Sequence, residues 1–165
     1  NKYPEQLADS YTINGTIYLY QNNYKKAMLL YHKSLDISQE HNLKSNIADN
    51  YNNLGQVQYI LGNYKQSIDY YTKALDMNTK LGYKHAIANN LNNLGNIYLN
   101  EKEFSKAKTY YSKALALNQS INNEVSLANN YMNIGIEIEV DREDCSSPMN
   151  INKFLEIKNN VYCIR

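Results

Sequence analysis

The sequence predicts an all-α protein built from stacked pairs of helices, and three observations lead to that fold class. Glycine recurs at Gly15, Gly55, Gly95 and Gly135, at a constant step of 40 residues. Within each step, apolar and small residues recur at intervals of three and four, as they do on one face of a helix. The alternation typical of strands is missing. A fixed period with helical spacing inside it indicates supersecondary units that stack on one another.

Each unit divides into two helices, and the second repeat shows them most plainly. Its first helix carries Tyr51, Leu54 and Gly55, and its second carries Tyr64 and Tyr71. The links inside the repeats are Gln21-Asn22-Asn23, Leu61-Gly62-Asn63 and Glu101-Lys102-Glu103. Because links this short cannot cross the length of a helix, the two helices of a pair are expected to run antiparallel.

The ends of the second helices are marked by residues that accept a left-handed backbone. Asn42, Gly82 and Asn122 occupy equivalent positions, and Gly and Asn are the residues that tolerate this conformation best. The second helices are therefore expected to run to about Gln39, Thr79 and Gln119.

These residues resemble the tetratricopeptide repeat family. The third repeat matches its pattern at Leu91, Leu94, Gly95, Tyr98, Phe104, Ala107, Tyr111 and Ala114, and the second at Tyr51, Leu54, Gly55, Tyr64, Tyr71 and Ala74. Departures from the pattern are Asn14, Ser34 and Gln58. The usual period of the family is about 34 residues, so this chain is similar to the long variety found in kinesin light chains, spindle-orientation adaptors and bacterial sensors. The resemblance covers Leu7 to Val140 and implies a right-handed α-solenoid that binds proteins.

The repeat register also sets the expected organisation of the chain. Residues 1–140 form the repeat array, divided at about 1–43, 44–83 and 84–123, with the start of a fourth repeat at 124–140. The tail, residues 141–165, departs from the pattern and is expected to form a loop and a capping helix over 148–162, since the last repeat exposes an apolar face. Two alternatives are that the tail folds into the groove as an internal ligand, or that it is an altered, partly disordered end.

Composition excludes several classes of function. The chain is 20% charged with a formal net charge of +1, so it has no field that would select nucleic acid or a membrane surface. No apolar stretch approaches the roughly 20 residues of a membrane helix, and the first residues do not form a secretory signal. A cytoplasmic, intracellular location is the default expectation. The chain lacks an initiator Met, which favours a fragment of a longer protein.

Residues that carry catalytic or metal chemistry are sparse. The two cysteines, Cys145 and Cys163, lie in the tail without a paired cysteine or a nearby histidine. His32, His41 and His85 share neither a helical face nor a ligand spacing. Nucleotide-binding glycine loops and nucleophile motifs are also missing. We therefore expect no catalytic site, no metal and no cofactor.

The resemblance implies that the first helix of each repeat lines a concave groove. The candidate groove residues are Asp49, Asn52, Gln56, Tyr59, Asn89, Asn92, Asn96 and Asn129, with Asp9, Thr12, Thr16, Leu19, Leu99, Met132 and Ile136 at equivalent positions. Asn52, Asn89 and Asn92 are expected to pair with the backbone of an extended peptide, because an amide offers both a donor and an acceptor. The alternative is that these asparagines reflect an Asn-rich composition without a binding role.

Charge narrows the choice of ligand. The groove positions include no Lys or Arg, so a clamp for the acidic carboxyl terminus of a chaperone is not expected. Lysines gather instead on the second helices, where they interleave with acidic residues as on a solvated face. They are Lys25, Lys26, Lys33, Lys65, Lys73, Lys106, Lys108 and Lys113.

The sequence thus predicts a scaffold module that binds a protein or an extended peptide. Two other interpretations stay open: a regulatory or sensor segment of a larger signalling protein or transcription regulator, and a repeat that associates with itself end to end. Fold and motif alone do not identify a particular partner.

Overall fold

The structure, a computed structural model, describes residues 3–123 together with Ser126, Asn130 and Asn133. Within this part of the chain the polypeptide forms helices and short links, without strands. The six helices are α1 (Pro4–Tyr20), α2 (Tyr24–Glu40), α3 (Lys44–Ile60), α4 (Tyr64–Leu81), α5 (Lys84–Asn100) and α6 (Phe104–Ser120). The predicted ends of the second helices fall within two residues of the observed ones, at Glu40, Leu81 and Ser120. The predicted tail helix over 148–162 and the start of the fourth repeat lie outside the continuous described range.

Each of the six described helices is followed, within two residues of its end, by a residue in the left-handed region of the backbone. The φ angles are 57° at Asn22, 53° at Asn42, 74° at Gly62, 72° at Gly82, 60° at Lys102 and 52° at Asn122. In each case the residue that follows donates its backbone N–H to the carbonyl oxygen of the residue five positions before it. Examples are Asn23 N–H to Tyr18 O (2.8 Å) and Leu43 N–H to Ser38 O (2.8 Å). This is the hydrogen bond of the Schellman motif, which closes a helix by satisfying one of its last carbonyls. The links between the described helices therefore turn the chain without a proline residue.

Gly15, Gly55 and Gly95, the glycines of the 40-residue step that the structure describes, are positions of close approach between the helices of a pair. An added Cβ would lie 2.7 Å from Tyr31 at Gly15, 2.9 Å from Tyr71 at Gly55 and 2.5 Å from Tyr111 at Gly95. Each ring is buried, at 0% exposed for Tyr31 and Tyr111 and 3% for Tyr71. The tyrosine thus fills the space that the missing side chain leaves.

The chain divides into two units, with the division between Asn90 and Leu91, inside α5. In the first unit α1 packs on α2, α3 on α4, and α2 on α3. Its core cluster is formed by Leu19, Ala27, Tyr31, Leu35, Ile47, Leu54 and Val57. In the second unit Ala107 and Tyr111 are buried, with Tyr98, Leu99 and Leu115 packed against them. The all-α fold of helix pairs that the sequence predicts is confirmed.

Candidate functional site

The predicted groove residues fall on one stripe of each first helix, which we call the first-helix face. In the first unit Asp9, Asp49, Gln56 and Asn89 are exposed, and Thr12, Asn52 and Tyr59 are half-buried. In the second unit Asn92 and Asn96 are half-buried. Asn129, Met132 and Ile136 lie outside the described residues.

Leu19 is an exception to this placement. The sequence puts it at a groove position, but only 6% of it is exposed, and it belongs to the core cluster of the first unit. The link after α1 folds the chain back immediately beyond it, and its apolar side chain packs inward. Leu19 therefore does not line an exposed surface.

Behind the first-helix face of the first unit, buried asparagines form what we call the Asn52 triad: Asn52, Asn78 and Asn90. Asn78 Nδ2 donates to Asn90 Oδ1 at 2.9 Å, and Asn90 Nδ2 donates to Asn52 Oδ1 at 3.0 Å. Asn78 is 3% exposed and Asn90 is 1% exposed. The triad joins α4, α5 and α3, so a half-buried groove residue is bonded to the interior of the protein.

The second unit repeats the same arrangement 40 residues later as the Asn92 triad: Asn92, Asn118 and Asn130. Asn118 Nδ2 donates to Asn130 Oδ1 at 2.7 Å, and Asn130 Nδ2 donates to Asn92 Oδ1. Both interior members are 0% exposed. Because the donors and acceptors follow the same direction in both triads, the arrangement belongs to the repeat rather than to one accident of packing.

In the first repeat, Thr12 and Ser38 stand where the Asn52 triad has Asn52 and Asn78, and the buried Asn50 bonds a further hydroxyl residue, Ser34. Asn50 Nδ2 donates to Ser34 Oγ at 2.8 Å, and Thr12 Oγ1 donates to Asn50 Oδ1 at 3.2 Å. Thr12 and Ser34 also share a hydrogen bond of 2.8 Å between their hydroxyl oxygens. Here the buried asparagine turns its carbonyl, not its amide nitrogen, toward the groove residue, so the direction of the hydrogen bonds is opposite to that of the two triads.

A second set of contacts joins the face to the buried tyrosines. The Tyr31 hydroxyl lies 3.1 Å from Thr16 Oγ1, and the Tyr111 hydroxyl donates to Asn96 Oδ1 at 2.7 Å. Burial raises the pKa of Tyr31 and that of Tyr71 above their ordinary value of 10.0. The hydroxyl groups of Tyr31 and Tyr111 bond side chains of the first-helix face from inside the protein.

The exposed end of the face in the first unit is acidic. Asp9 accepts a hydrogen bond from Asn46 Nδ2 at 2.6 Å. Loss of water around Asp49 raises the pKa of its carboxyl group, and the neighbouring charge of Asp9 raises it further. Two neighbouring carboxylates also attract a cation. This end of the face is suited to a basic group.

The second helices of the pairs, α2, α4 and α6, carry a face of different chemistry, which we call the second-helix face. Its eight predicted lysines are all exposed. They are Lys25, Lys26, Lys33, Lys65, Lys73, Lys106, Lys108 and Lys113. Lys73 pairs with Asp69 at 2.7 Å and Lys80 with Asp76 at 2.6 Å, and Lys106 bonds Glu103. Lysine ammonium groups also lie over tyrosine rings, as Lys26 does 5.0 Å from the Tyr18 centroid. The prediction of a solvated outer face agrees with these exposed pairs, which contribute little to stability individually.

Sequence reasoning missed the interior members of the triads. The 40-residue register contains the signal, because Asn50, Asn90 and Asn130 all stand five residues before a step glycine. Among so many asparagines, nothing in the sequence shows that these three turn inward, away from water. Their burial appears only once the second helices are packed against them.

In the described residues, no three His, Cys, Asp or Glu side chains are grouped as a metal site would require. None of the helices in this part of the chain combines the length and apolar character of a membrane span.

Comparison with known proteins supports the predicted resemblance. Residues 46–120 match the model of the tetratricopeptide repeat. Over these residues the match confirms the resemblance that the second and third repeats predict. No curated protein matches the chain by sequence.

Solved structures share the fold. BtubC (BKLC) from P. vanneervenii aligns with a TM-score of 0.86 at 22% identity, over 98% of this chain and 67% of that one. The apo form of RapI aligns at 0.85 and 16% identity, over 98% and 61%. Aspartyl phosphate phosphatase F from Bacillus subtilis aligns at 0.84 and 17% identity, over 95% and 41%. These likenesses place the chain among α-solenoid repeat folds, and the chain spans from about two-fifths to two-thirds of these proteins' lengths.

Proposed function

We propose that this chain is a non-catalytic module that binds an extended peptide on its first-helix face. The observation that carries the proposal is the stripe of polar side chains on this face, with half-buried Asn52 fixed at one side by a buried partner. Amide groups suit an extended peptide, because its backbone repeats donors and acceptors whatever its sequence. Side chains that are already oriented lose less entropy on binding.

Charge defines the kind of peptide. The face of the first unit carries Asp9 and Asp49, and its groove positions include no Lys or Arg. A peptide with a basic side chain near these carboxylates would relieve their mutual repulsion, whereas an acidic peptide would add to it. The favoured ligand is therefore an extended peptide with at least one Lys or Arg and few acidic residues.

The test begins with selection of a dodecapeptide from a random displayed library on the immobilised parent chain. Its affinity is then measured by titration calorimetry for the parent, for Asn52→Ala and for Asn14→Ala. Asn14 is exposed on α1 and donates to Ser10 O at 2.8 Å, so it supplies a matched asparagine outside the proposed face. We expect Asn52→Ala to weaken binding roughly threefold to tenfold, which is the range for one hydrogen bond, and Asn14→Ala to leave it unchanged.

The same titrations identify the results that contradict the proposal. Equal affinity of the parent and Asn52→Ala would contradict the proposed amide contact. Failure to select any peptide would contradict the proposed function. A second arm repeats the titration with Asp49→Asn at rising salt. The proposal predicts that the parent loses more affinity with salt than this variant does, because one of its ionic contacts is screened.

A second candidate function is that of a regulatory or sensor segment in a larger protein. It is favoured by the fold likeness to a signal transduction ATPase with numerous domains that contains a tetratricopeptide repeat sensor, from Pyrococcus horikoshii, at a TM-score of 0.76 and 20% identity. The alignment covers 96% of this chain and 24% of that one. The reading frame around this segment discriminates between the two candidate functions. An adjacent catalytic or DNA-binding domain would support the regulatory function, and the absence of such a domain would argue against it.

A further inference from the structure

We infer that one side of α1 is a docking surface for an amphipathic helix of a partner protein. The partner helix packs on Ile13, Ile17 and Tyr20, and it carries Lys or Arg toward the N-terminal half of α1. We call this side the α1 outer face. Its three apolar residues are not groove positions, so the surface is separate from the one proposed to bind an extended peptide.

The α1 outer face carries three large apolar side chains that are exposed. Ile13 is 61% exposed, Ile17 is 48% exposed and Tyr20 is 83% exposed. Their spacing of four and three residues places them on one stripe of the helix. This stripe lies away from Ala8 and Gly15, which α1 buries. Single apolar residues are ordinary on a protein surface, whereas a contiguous group of them marks an interaction site.

The second repeat shows what covers the equivalent position of a first helix. There α2 packs on α3, and Val57 of α3 is 0% exposed in a core cluster that includes Ala27 and Leu35 of α2. Ile17 stands 40 residues before Val57, so the position that is covered in the second repeat is open in the first. Because the apolar stripe of one helix is matched by that of another, a helix is the occupant that this surface favours.

The α1 outer face also departs from the repeat, and the departure favours a separate partner over a further repeat helix. Asn14 stands where α3 has Leu54, which is 0% exposed. Asn14 is exposed and donates to Ser10 O at 2.8 Å. The apolar surface extends instead to Ile13, which stands where α3 has the polar Asn53. The apolar surface is thus displaced from the position that a repeat helix covers.

Charge gives the partner helix its chemistry and disfavours a second copy of this chain. α1 carries Glu5 and Asp9 in its N-terminal half, and it contains no Lys or Arg between Pro4 and Tyr20. A partner helix with Lys or Arg beside these carboxylates is attracted to them. A second α1 would place carboxylates against carboxylates in a parallel pair, and against apolar side chains in an antiparallel pair. Both arrangements are unfavourable.

The probes are two hydrocarbon-stapled helices of 17 residues, the length of α1. They share one leucine stripe and differ at one end, where the first carries lysines and the second carries glutamates. Affinity is measured by fluorescence anisotropy for the parent, for the double variant Ile13→Ala/Ile17→Ala and for Leu29→Ala. Leu29 is 55% exposed on α2, so it supplies a matched apolar truncation outside the face. Circular dichroism identifies the variants that keep their helices.

We expect the lysine helix to bind the parent and to lose roughly tenfold in affinity for the double variant, because fewer methylene groups are buried. Leu29→Ala should bind as the parent does. The glutamate helix is expected to bind the parent more weakly than the lysine helix, and Glu5→Gln should reduce the difference. No binding of the lysine helix, equal affinity for the parent and the double variant, or equal affinity of the two helices would overturn the proposal.

Sedimentation velocity of the parent over a range of concentrations tests a second copy as the occupant. We expect the parent to sediment as a monomer. A dimer that the double substitution Ile13→Ala/Ile17→Ala dissociates would assign the α1 outer face to a second copy and would overturn the partner helix.

Discussion

Alanine at Gly95 is expected to destabilise the second unit, although alanine is the better helix former. A Cβ at this position lies 2.5 Å from Tyr111 Cε1, whereas ordinary contacts are 3.4–4 Å. The ring would have to move by most of an ångström, yet Tyr111 is 0% exposed and its hydroxyl bonds Asn96 at 2.7 Å. Overpacking of this kind costs about 1–3 kcal/mol.

The gain in helix propensity offsets part of that cost. Replacing Gly by Ala inside a helix contributes up to about 1 kcal/mol. The net expectation for Gly95→Ala is a loss of about 1–2 kcal/mol in the free energy of unfolding. At Gly55, where the ring of Tyr71 is 2.9 Å away, the two effects are closer to balance and the net change is expected to stay within about 1 kcal/mol.

The assay is urea unfolding followed by far-UV circular dichroism, with Gly55→Ala as the matched control. The background Tyr111→Leu provides a second control, because a smaller side chain leaves room for the added methyl group. In that background Gly95→Ala should become neutral or stabilising, which gives a coupling energy of about 1 kcal/mol or more. A Gly95→Ala protein more stable than the parent, or an unchanged loss in the Tyr111→Leu background, would refute the close-approach reasoning.

Three further substitutions test separate parts of the structure. Lys102 has a φ of 60°, in the left-handed region that asparagine tolerates better than lysine because its short polar side chain can hydrogen-bond locally. Lys102→Asn should therefore raise the free energy of unfolding by roughly 0.5 kcal/mol in the same assay, and a loss would contradict the link geometry. Asn90→Leu leaves buried polar atoms of Asn78 and Asn52 without their partner, so thermal unfolding should show a loss of about 2 kcal/mol, whereas equal stability would argue against the triad. The raised pKa of Asp49 means that the folded state holds this proton more tightly than the unfolded state does, so stability falls as pH rises above the ordinary value of 3.8 and stays at the lower level at neutral pH. Asp49→Asn should therefore raise the free energy of unfolding at pH 7, and unfolding at acid pH should show the difference disappear.

The sequence predicts the helices and the links well, because both depend on local chemistry. The 40-residue step places Gly55 opposite Tyr71, and Asn22, Gly62 and Lys102 share one position in the link. Lys102 is the least expected of these three, since its left-handed backbone follows from the repeat geometry and not from its own preference.

The site is predicted less completely, because it depends on packing between helices. The stripe that carries Asp49, Asn52 and Gln56 follows from helical periodicity. The hydrogen bond between Asn52 and Asn90 does not, since the two residues lie 38 residues apart along the chain. Leu19 is an error in the opposite direction. Its position in the repeat predicts a groove residue, but its apolar side chain packs into the core.

The central claim is that an extended peptide binds the first-helix face of this protein. The most direct measurement is the NMR footprint of the library-selected dodecapeptide on the labelled parent chain. We expect the shifted resonances to cluster at Asp49, Asn52 and Gln56. A footprint centred instead on the second-helix face, at Lys65, Asp69 and Lys73, would contradict it.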